Sequence, residues 1–420
     1  MLQPFSASKR LDGVRYDIRG PLNAKAVALE AAGRNIAKLN IGNPSLFGFE
    51  TPAHLRDALL VNAGQSEAYI HQQGLLAARE LIAEKARQAG ASSAIAENVF
   101  IGNGVSELID VTLRALINPG DEVLLPAPDY PLWTAAVQLN GGVVRYYDCP
   151  PERLGLPDPE QVRSLVNKNT RALVLINPNN PAGSVYPQAL LQELVLIAEA
   201  FGLVLFSDEI YGGLTFPGHT FVPVAPLVHD TLCITFSGLS KIHRACGYRV
   251  GWATMSGALK PARDYLRALD TLAALRLCSN VIGQWAIAPA LTGPDTWSAL
   301  CQPGGRLFET RAALMQSVNA SEYLRCVEPA GAIYAFPGVD VAKLPGFDDQ
   351  RFALDLLERE HVLVVPGSSF NVDYKTHFRM TLLPDAFEMR RVMLSIDNVL
   401  RSYASKSTFN PPAVLAAQFA

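Results

Sequence analysis

Between residues 98 and 255 short, continuous apolar runs alternate with stretches in which apolar positions recur every three or four residues. Val99–Ile101, Glu122–Leu125, Val143–Tyr147, Ala172–Ile176, Leu203–Phe206 and Leu232–Phe236 read as strands, with helices at Ser106–Ile117, Leu132–Leu139 and Ala189–Ala200. Val250–Met255 reads as a further, antiparallel strand. Strands that are apolar on both faces and alternate with helices predict an α/β fold with a mostly parallel sheet sandwiched by helices.

Upstream, residues 1–20 are polar and end in Tyr16-Asp17-Ile18-Arg19-Gly20-Pro21, after which an amphipathic helix is predicted to about Ala37. Lys38-Leu39-Asn40-Ile41-Gly42-Asn43-Pro44 reads as a short strand entering a turn. Two helices follow between Thr51 and Glu84, separated by Tyr69-Ile70-His71-Gln72-Gln73-Gly74. Beyond residue 300 the strand-like runs Tyr323–Val327, Ala332–Phe336, Val362–Val365 and Phe378–Leu382 predict a smaller α/β unit. The expected organisation is an N-terminal segment 1–50 joining the small domain, a large domain 51–295, a small domain 296–405 and a tail 406–420. The chain from Ser402 onward, with Pro411-Pro412, is expected to be loosely held.

Composition narrows the class. Of 420 residues, 49% are hydrophobic and 18% charged, which suits a well-buried globular enzyme. Lys+Arg 36 against Asp+Glu 39 leaves a net charge of −3 and no basic stripe, so a nucleic-acid partner is not expected. The six cysteines (Cys149, Cys233, Cys246, Cys278, Cys301 and Cys326) show no C-x-x-C and no Cys/His ligand spacing. They read as reduced core thiols, with neither disulfides nor a metal centre. Met1–Lys9 has no apolar signal core, and Leu190–Phe206 is broken by Gln192, Glu193, Glu199 and Gly202. A cytoplasmic protein with no membrane partner is the expectation.

The candidate chemistry centres on Ser237-Gly238-Leu239-Ser240-Lys241-Ile242-His243-Arg244-Ala245-Cys246-Gly247-Tyr248-Arg249-Val250-Gly251-Trp252. A lysine at the edge of a buried sheet either pairs with a carboxylate or forms a Schiff base with a carbonyl ligand. Arg249 carries a permanent charge that forks onto phosphate or carboxylate. Together they point to a phosphorylated aldehyde, of which pyridoxal 5′-phosphate is the common one; the bland alternative is a surface Lys and Arg in a Gly-rich loop.

Other loaded loops also follow predicted strands, where ligands gather in parallel sheets. In Gly102-Asn103-Gly104-Val105-Ser106-Glu107 glycines allow close approach to an anion at a helix N-terminus. Alternatively, Ser106 or Asn103 simply caps that helix. Tyr130, in Pro126-Ala127-Pro128-Asp129-Tyr130-Pro131, either stacks on a heteroaromatic ring or packs in the core. Ser207-Asp208-Glu209-Ile210-Tyr211 ends a buried strand, and a carboxylate there needs a partner.

These motifs, in this order over about residues 10 to 400, resemble the class I/II pyridoxal-phosphate aminotransferases. The resemblance is closer still to the bacterial alanine (glutamate–pyruvate) group, through Leu39–Pro44, Gly102–Leu108, Pro126–Thr134 and Tyr16–Pro21. It implies the type I, aspartate-aminotransferase-like fold and pyridoxal 5′-phosphate as cofactor. It also implies that Lys241 joins the cofactor and moves the reacting proton, Asp208 holds the pyridine nitrogen protonated, and Tyr211 and Asn180 bond the phenolic oxygen. Tyr130 would cover the ring, while Arg249, Gly104, Val105, Ser106 and Ser240 would hold the phosphate. Asn180 stands in Asn177-Pro178-Asn179-Asn180-Pro181-Ala182-Gly183, with Ala182 where threonine is usual.

On the substrate side the resemblance implies Arg379 as the clamp on the α-carboxylate, with Gly42 and Asn180 close by. Tyr16 and Arg19 are candidates for a distal carboxylate. Tyr69 would reach from a neighbouring subunit to the phosphate, near Ser279-Asn280, which implies a homodimer with shared sites. Aspartate-type relatives carry a partner arginine where this chain has Leu275. The activity implied is alanine plus 2-oxoglutarate to pyruvate plus glutamate. Valine, aromatic or methionine donors, a C–S β-lyase and a non-enzymatic regulator remain as alternatives on the sequence.

Overall fold

The computed structural model describes residues 5–407, so Met1–Pro4 and the tail beyond Ser407 lie outside the described residues. Seven strands form the main sheet: β1 (Val99–Gly102), β2 (Glu122–Ala127), β3 (Val143–Asp148), β4 (Thr170–Ile176), β5 (Val204–Asp208), β6 (Leu232–Gly238) and β7 (Gly251–Gly257). Their spatial order is β1-β7-β6-β5-β4-β2-β3. The β2, β3, β4, β5 and β6 ladders are parallel, and β7 runs antiparallel to both β6 and β1, as its sequence predicts. Six carboxyl ends therefore face one edge, where β7 starts. Register brings Asp208 opposite Ile176 and Phe236, and Gly251 opposite Gly102 and Gly238, on that edge.

Period-two alternation along the buried strands feeds two cores. Val123, Leu125, Val174 and Phe206 pack on one face with Leu108, Leu113, Trp133 and Leu269, from the helices Val105–Leu116, Pro131–Leu139 and Arg263–Leu275. Leu124, Leu173, Leu175 and Leu205 pack on the other with Leu191, Leu194 and Ile197, from the helix Gln188–Phe201. Each fully buried leucine here stabilises the fold by roughly 2–5 kcal/mol against truncation to alanine.

The C-terminal unit is built from shorter pieces. Tyr334–Ala335 and Val365–Pro366 flank Phe378–Thr381 in an antiparallel ribbon, and Gly338–Val339 pairs with Leu324–Arg325. The predicted strands are thus present but trimmed, and the run Val362–Val365 is split into two separate pairings. Helices Arg306–Ala320, Asp349–Glu360 and Ala386–Ser407, which the strand-centred reading passed over, pack around this ribbon.

Two expectations are corrected. The N-terminal helix spans Pro21–Ala31, not to about Ala37, because Gly33 turns the chain in the left-handed region at φ 82. It is not amphipathic either, with only Ala26 fully buried; Ala37–Lys38 is already a strand, paired in parallel with Val362–Leu363. The chain at Ser402–Ser407 is not loose but continues the last helix. There Arg359 Nη1 donates to Ser402 Oγ at 2.9 Å and Tyr403 donates to Asp355 at 2.8 Å.

Candidate active site

At the carboxyl edge of the sheet a cleft of about 700 Å³ opens between the sheet and the C-terminal unit. Lys241, Asp208, Tyr211, Asn180, Tyr130, Val105, Ser106, Ser240, Arg249, Gly42, Arg379, Tyr16 and Arg19 all line it. The sheet-borne residues converge because their strands end together, while Arg379, Gly42, Tyr16 and Arg19 come from the facing C-terminal and N-terminal segments. Asp208 is the only carboxylate in the lining, against four cations: Lys241, Arg249, Arg379 and Arg19. None of these five has an ion-pair partner among the described residues. Such a cleft selects anionic ligands.

Asp208 closes β5 and is 3% exposed. Its Oδ2 accepts from the Trp133 indole at 3.2 Å and its Oδ1 from the Ile210 amide at 3.3 Å. Burial raises its pKa to about 6, against the pull of the Trp133 and Ile210 donors and the Lys241 charge. A neutral indole and one amide leave room for a cationic N–H. Glu209 points away: its Oε1 accepts from Ser207 Oγ and the Val224 amide, both at 2.9 Å, and it is absent from the cleft. Lys241, half-buried three residues beyond β6, donates from Nζ to the Gly42 carbonyl at 2.7 Å. It faces the cleft rather than a surface carboxylate.

One end of the cleft is an anion cradle. Arg249 sits in the left-handed region at φ 54, donating to Cys246 O at 3.0 Å and Asn103 O at 3.2 Å. Gly104, at φ 84, caps the helix Val105–Leu116; a Cβ there would lie 2.4 Å from Arg249 Nη2, so only glycine lets the guanidinium approach. Gly104 therefore backs the cradle without lining the cleft. Neither Asn103 nor Ser106 caps that helix by its side chain, contrary to the bland alternative. Instead Glu107 reaches back to the Asn103 amide at 2.6 Å and is itself paired with Arg276 at 3.3 Å. The Val105 and Ser106 amides keep no backbone partner among the described residues, nor do the Ser106 and Ser240 hydroxyls have one. Helix-start amides beside an arginine suit a phosphate.

The other end is built around Arg379, 1% exposed in Phe378–Thr381. Its Nη1 donates to Asn180 Oδ1 at 3.0 Å, its Nη2 to the Asn40 carbonyl, and its Nε has no partner. The guanidinium lies over Tyr334 at 4.4 Å and Phe370 at 4.8 Å. A buried guanidinium held only by neutral groups can still accept a carboxylate. Tyr211 donates to the Tyr334 hydroxyl at 3.4 Å, with the rings edge-on. Burial alone would raise the Tyr334 phenol, but the charges of Lys241 and Arg379, with the Tyr211 hydrogen bond, outweigh it and bring its pKa below the ordinary tyrosine value. Tyr211 stays well above that value, through burial first and Tyr334 second. Tyr130 is likewise raised by burial, and its hydroxyl meets that of Tyr16 at 3.0 Å. Arg19 is exposed at the rim.

Tyr69 is 78% exposed and lies outside the cleft of its own chain. Ser279 accepts from Gln284 at 3.0 Å, and Asn280 binds the cradle through Arg249 O at 2.9 Å. Leu275 is 77% exposed. Sequence reasoning missed Tyr334, gave Trp133 no role, and read Cys246 as a core thiol, whereas it is half-buried and lines the cleft. Trp133 stands three residues past Tyr130 on a helix start, a spacing that puts it beside the strand end; Tyr334 carries no such local signal.

A family model described as aminotransferase class I and II matches residues 34–396. The glutamate-pyruvate aminotransferase AlaA of Escherichia coli is 41% identical over 402 residues, covering 96% of this chain and 99% of that one. The alanine aminotransferase of Mycobacterium tuberculosis is 40% identical over 400 residues, covering 95% of this chain and 93% of that one. A crystal structure of an aminotransferase from Escherichia coli matches with a TM-score of 0.94 at 41% identity, covering 96% of this chain and all of that one.

Proposed function

Because the chain belongs to the class I and II aminotransferases, we propose that it transfers the amino group of alanine to 2-oxoglutarate, giving pyruvate and glutamate, with pyridoxal 5′-phosphate in the cleft. The observation that carries this reading is the spacing of unpaired charge. Arg249 with free helix amides, Asp208 and Lys241 stand on the sheet side and Arg379 on the C-terminal unit, and all line one cleft. A phosphate, a pyridine nitrogen and a substrate carboxylate answer those groups in turn. When bound, the cofactor supplies an aldehyde that takes up the amino group and a ring that draws electrons from the substrate's α-carbon.

The residues divide the remaining work. Arg249 and the Val105 and Ser106 amides would hold the phosphate, and Ser106 and Ser240 would add hydroxyls. Asp208 would keep the pyridine nitrogen protonated, with the Trp133 N–H fixing the carboxylate's orientation. Tyr211 and Asn180 would hydrogen-bond the ring oxygen, and Tyr130 would cover the ring and exclude water. Arg379 orients the α-carboxylate beside Gly42. The Lys241 amine would take the α-proton and return it to the cofactor's aldehyde carbon. Arg19 and Tyr16 hold the second carboxylate of glutamate and 2-oxoglutarate. Arg276 is engaged by Glu107, and with Leu275 in the register position this favours alanine over aspartate as the donor.

We further place the enzyme in the cytoplasm as a homodimer, with the exposed Tyr69 reaching a neighbouring copy's phosphate. No helix among the described residues is long and apolar enough to cross a membrane. The test is a donor panel with pyruvate and 2-oxoglutarate as acceptors, read beside the absorption spectrum. The expected result is a yellow protein that forms pyruvate fastest from alanine. A colourless wild-type protein that binds no pyridoxal 5′-phosphate would overturn the reading. Release of pyruvate from a thioether amino acid without an acceptor would replace it with a lyase.

A further inference from the structure

Asp129 is fully buried on the loop between β2 and the helix Pro131–Leu139, and it does not line the cleft. Its Oδ2 accepts from Thr134 Oγ1 at 2.6 Å and its Oδ1 from Asn371 Nδ2 at 2.8 Å. Its amide donates to the Phe370 carbonyl at 3.1 Å. The Tyr146 hydroxyl closes the network at Thr134 Oγ1, 2.9 Å away. Thr134 and Tyr146 belong to the sheet layer, whereas Phe370 and Asn371 belong to the C-terminal unit. Asp129 has no ion-pair partner among the described residues. One carboxylate therefore takes neutral donors from both sides of the junction.

The contact adjoins two walls of the cleft, Tyr130 and Arg379. Tyr130 follows Asp129 directly, and the Phe370 ring lies 4.8 Å from the Arg379 guanidinium. The N-terminal strap joins the same place. Tyr16 meets Tyr130, Ser369 Oγ donates to Asp17 at 3.2 Å, and Ile18 clusters with Phe336, Val365 and Phe370. Burying a carboxylate costs desolvation that a neutral side chain would avoid. What it supplies is acceptor positions aimed at two units at once, which fixes their separation.

We propose that Asp129 is a positioning residue: it latches the Tyr130 loop to the Phe370–Asn371 turn and so sets the distance between Tyr130 and Arg379 across the cleft. The inference rests on the assignment of that cleft as the active site and extends it to a residue that touches neither substrate nor cofactor. Cutting the latch leaves the reacting groups in place but loosens the frame that holds substrate against them, so the loss falls on KM rather than kcat.

The test compares Asp129→Ala, Asn371→Ala and Asp129→Asn in the full chain. KM and kcat for alanine and 2-oxoglutarate are measured on the holoenzyme, and amide hydrogen exchange on the cofactor-free protein. Both alanine variants raise the two KM values about tenfold with kcat within about threefold. Asp129→Asn, still able to accept from Asn371 and donate to Thr134 Oγ1, returns KM to within about twofold of wild type. Exchange quickens at residues 15–20, 126–131 and 366–372 and stays unchanged in β4, β5 and β6. If Asp129→Ala does not fold, Asn371→Ala carries the test, because it leaves Asp129 bonded to Thr134. Unchanged KM values, unchanged exchange at those three segments, or an Asp129→Asn as damaged as the alanine variant would each overturn the latch. A wild type that does not transaminate, combined with local quickening in the variants, would instead overturn the assigned reaction and leave the latch standing.

Discussion

The two ends of the cleft are made from different kinds of structure. At the Arg249 end every group adjoins a strand of the seven-stranded sheet: Asp208 closes β5, Lys241 follows β6, Gly104 follows β1 and Arg249 precedes β7. At the Arg379 end the neighbours are the two-residue strands Tyr334–Ala335 and Val365–Pro366, a turn and an N-terminal strap. On the proposed reading the stiff sheet would hold the cofactor, and segments placed through contacts distant in sequence would hold the substrate.

Substitutions can break this contrast. The largest effect belongs to Lys241→Ala, which loses about 10⁴-fold or more in turnover and the visible absorbance together, read by a coupled pyruvate assay and a spectrum. Asp208→Asn keeps the cofactor but lowers kcat about 10²–10³-fold, since the amide cannot hold the ring proton as firmly. Near-normal turnover would mean another group protonates the ring. Arg379→Ala raises both substrate KM values about 10²-fold while cofactor retention on dialysis stays as in wild type. Loss of cofactor from that variant would show that the two ends are not separable. Arg19→Ala sharpens the contrast further: KM for 2-oxoglutarate rises about tenfold and that for alanine stays within about twofold.

The smallest effect concerns pH. Burial raises Asp208 to about 6, and Asp129 and Glu209 to about 7, from ordinary carboxylate values near about 4. The folded chain therefore keeps protons that the unfolded chain releases. Their contribution to stability is full below about pH 4 and is lost as pH rises through 6 to 7. The cofactor-free protein should melt a few degrees lower at pH 8 than at pH 5, and Asp129→Asn should flatten that slope. An equal slope in wild type and variant would show that Asp129 does not hold its proton in the fold.

The same contrast governs what the sequence makes legible. Lys241, Asp208 and Arg249 can be found because each adjoins an apolar run whose period announces a buried strand, and the resemblance reinforces each of them. Tyr334 cannot, because its place depends on the pairing Tyr334↔Thr381 and on Gly42, where a Cβ would lie 2.2 Å from the phenol oxygen. Asp129 looks like an ordinary turn residue until Asn371, far along the chain, is seen to donate to it. The strands of the main sheet are legible to within two residues at either end, whereas those of the C-terminal unit are trimmed by irregular backbone. The first helix is misjudged because a glycine, not the apolar period, decides its end.

Ala37–Lys38 adds a strand beside Val362–Leu363, Thr381 N donates to Leu39 O, and Asn40 O accepts from Arg379. On a translating ribosome, residues 37 to 40 emerge early yet find their lattice of backbone partners only after position 381 has been synthesised. The nascent polypeptide can mature its central sheet first, but the partners of residues 37 to 40 are complete only once position 381 has been read.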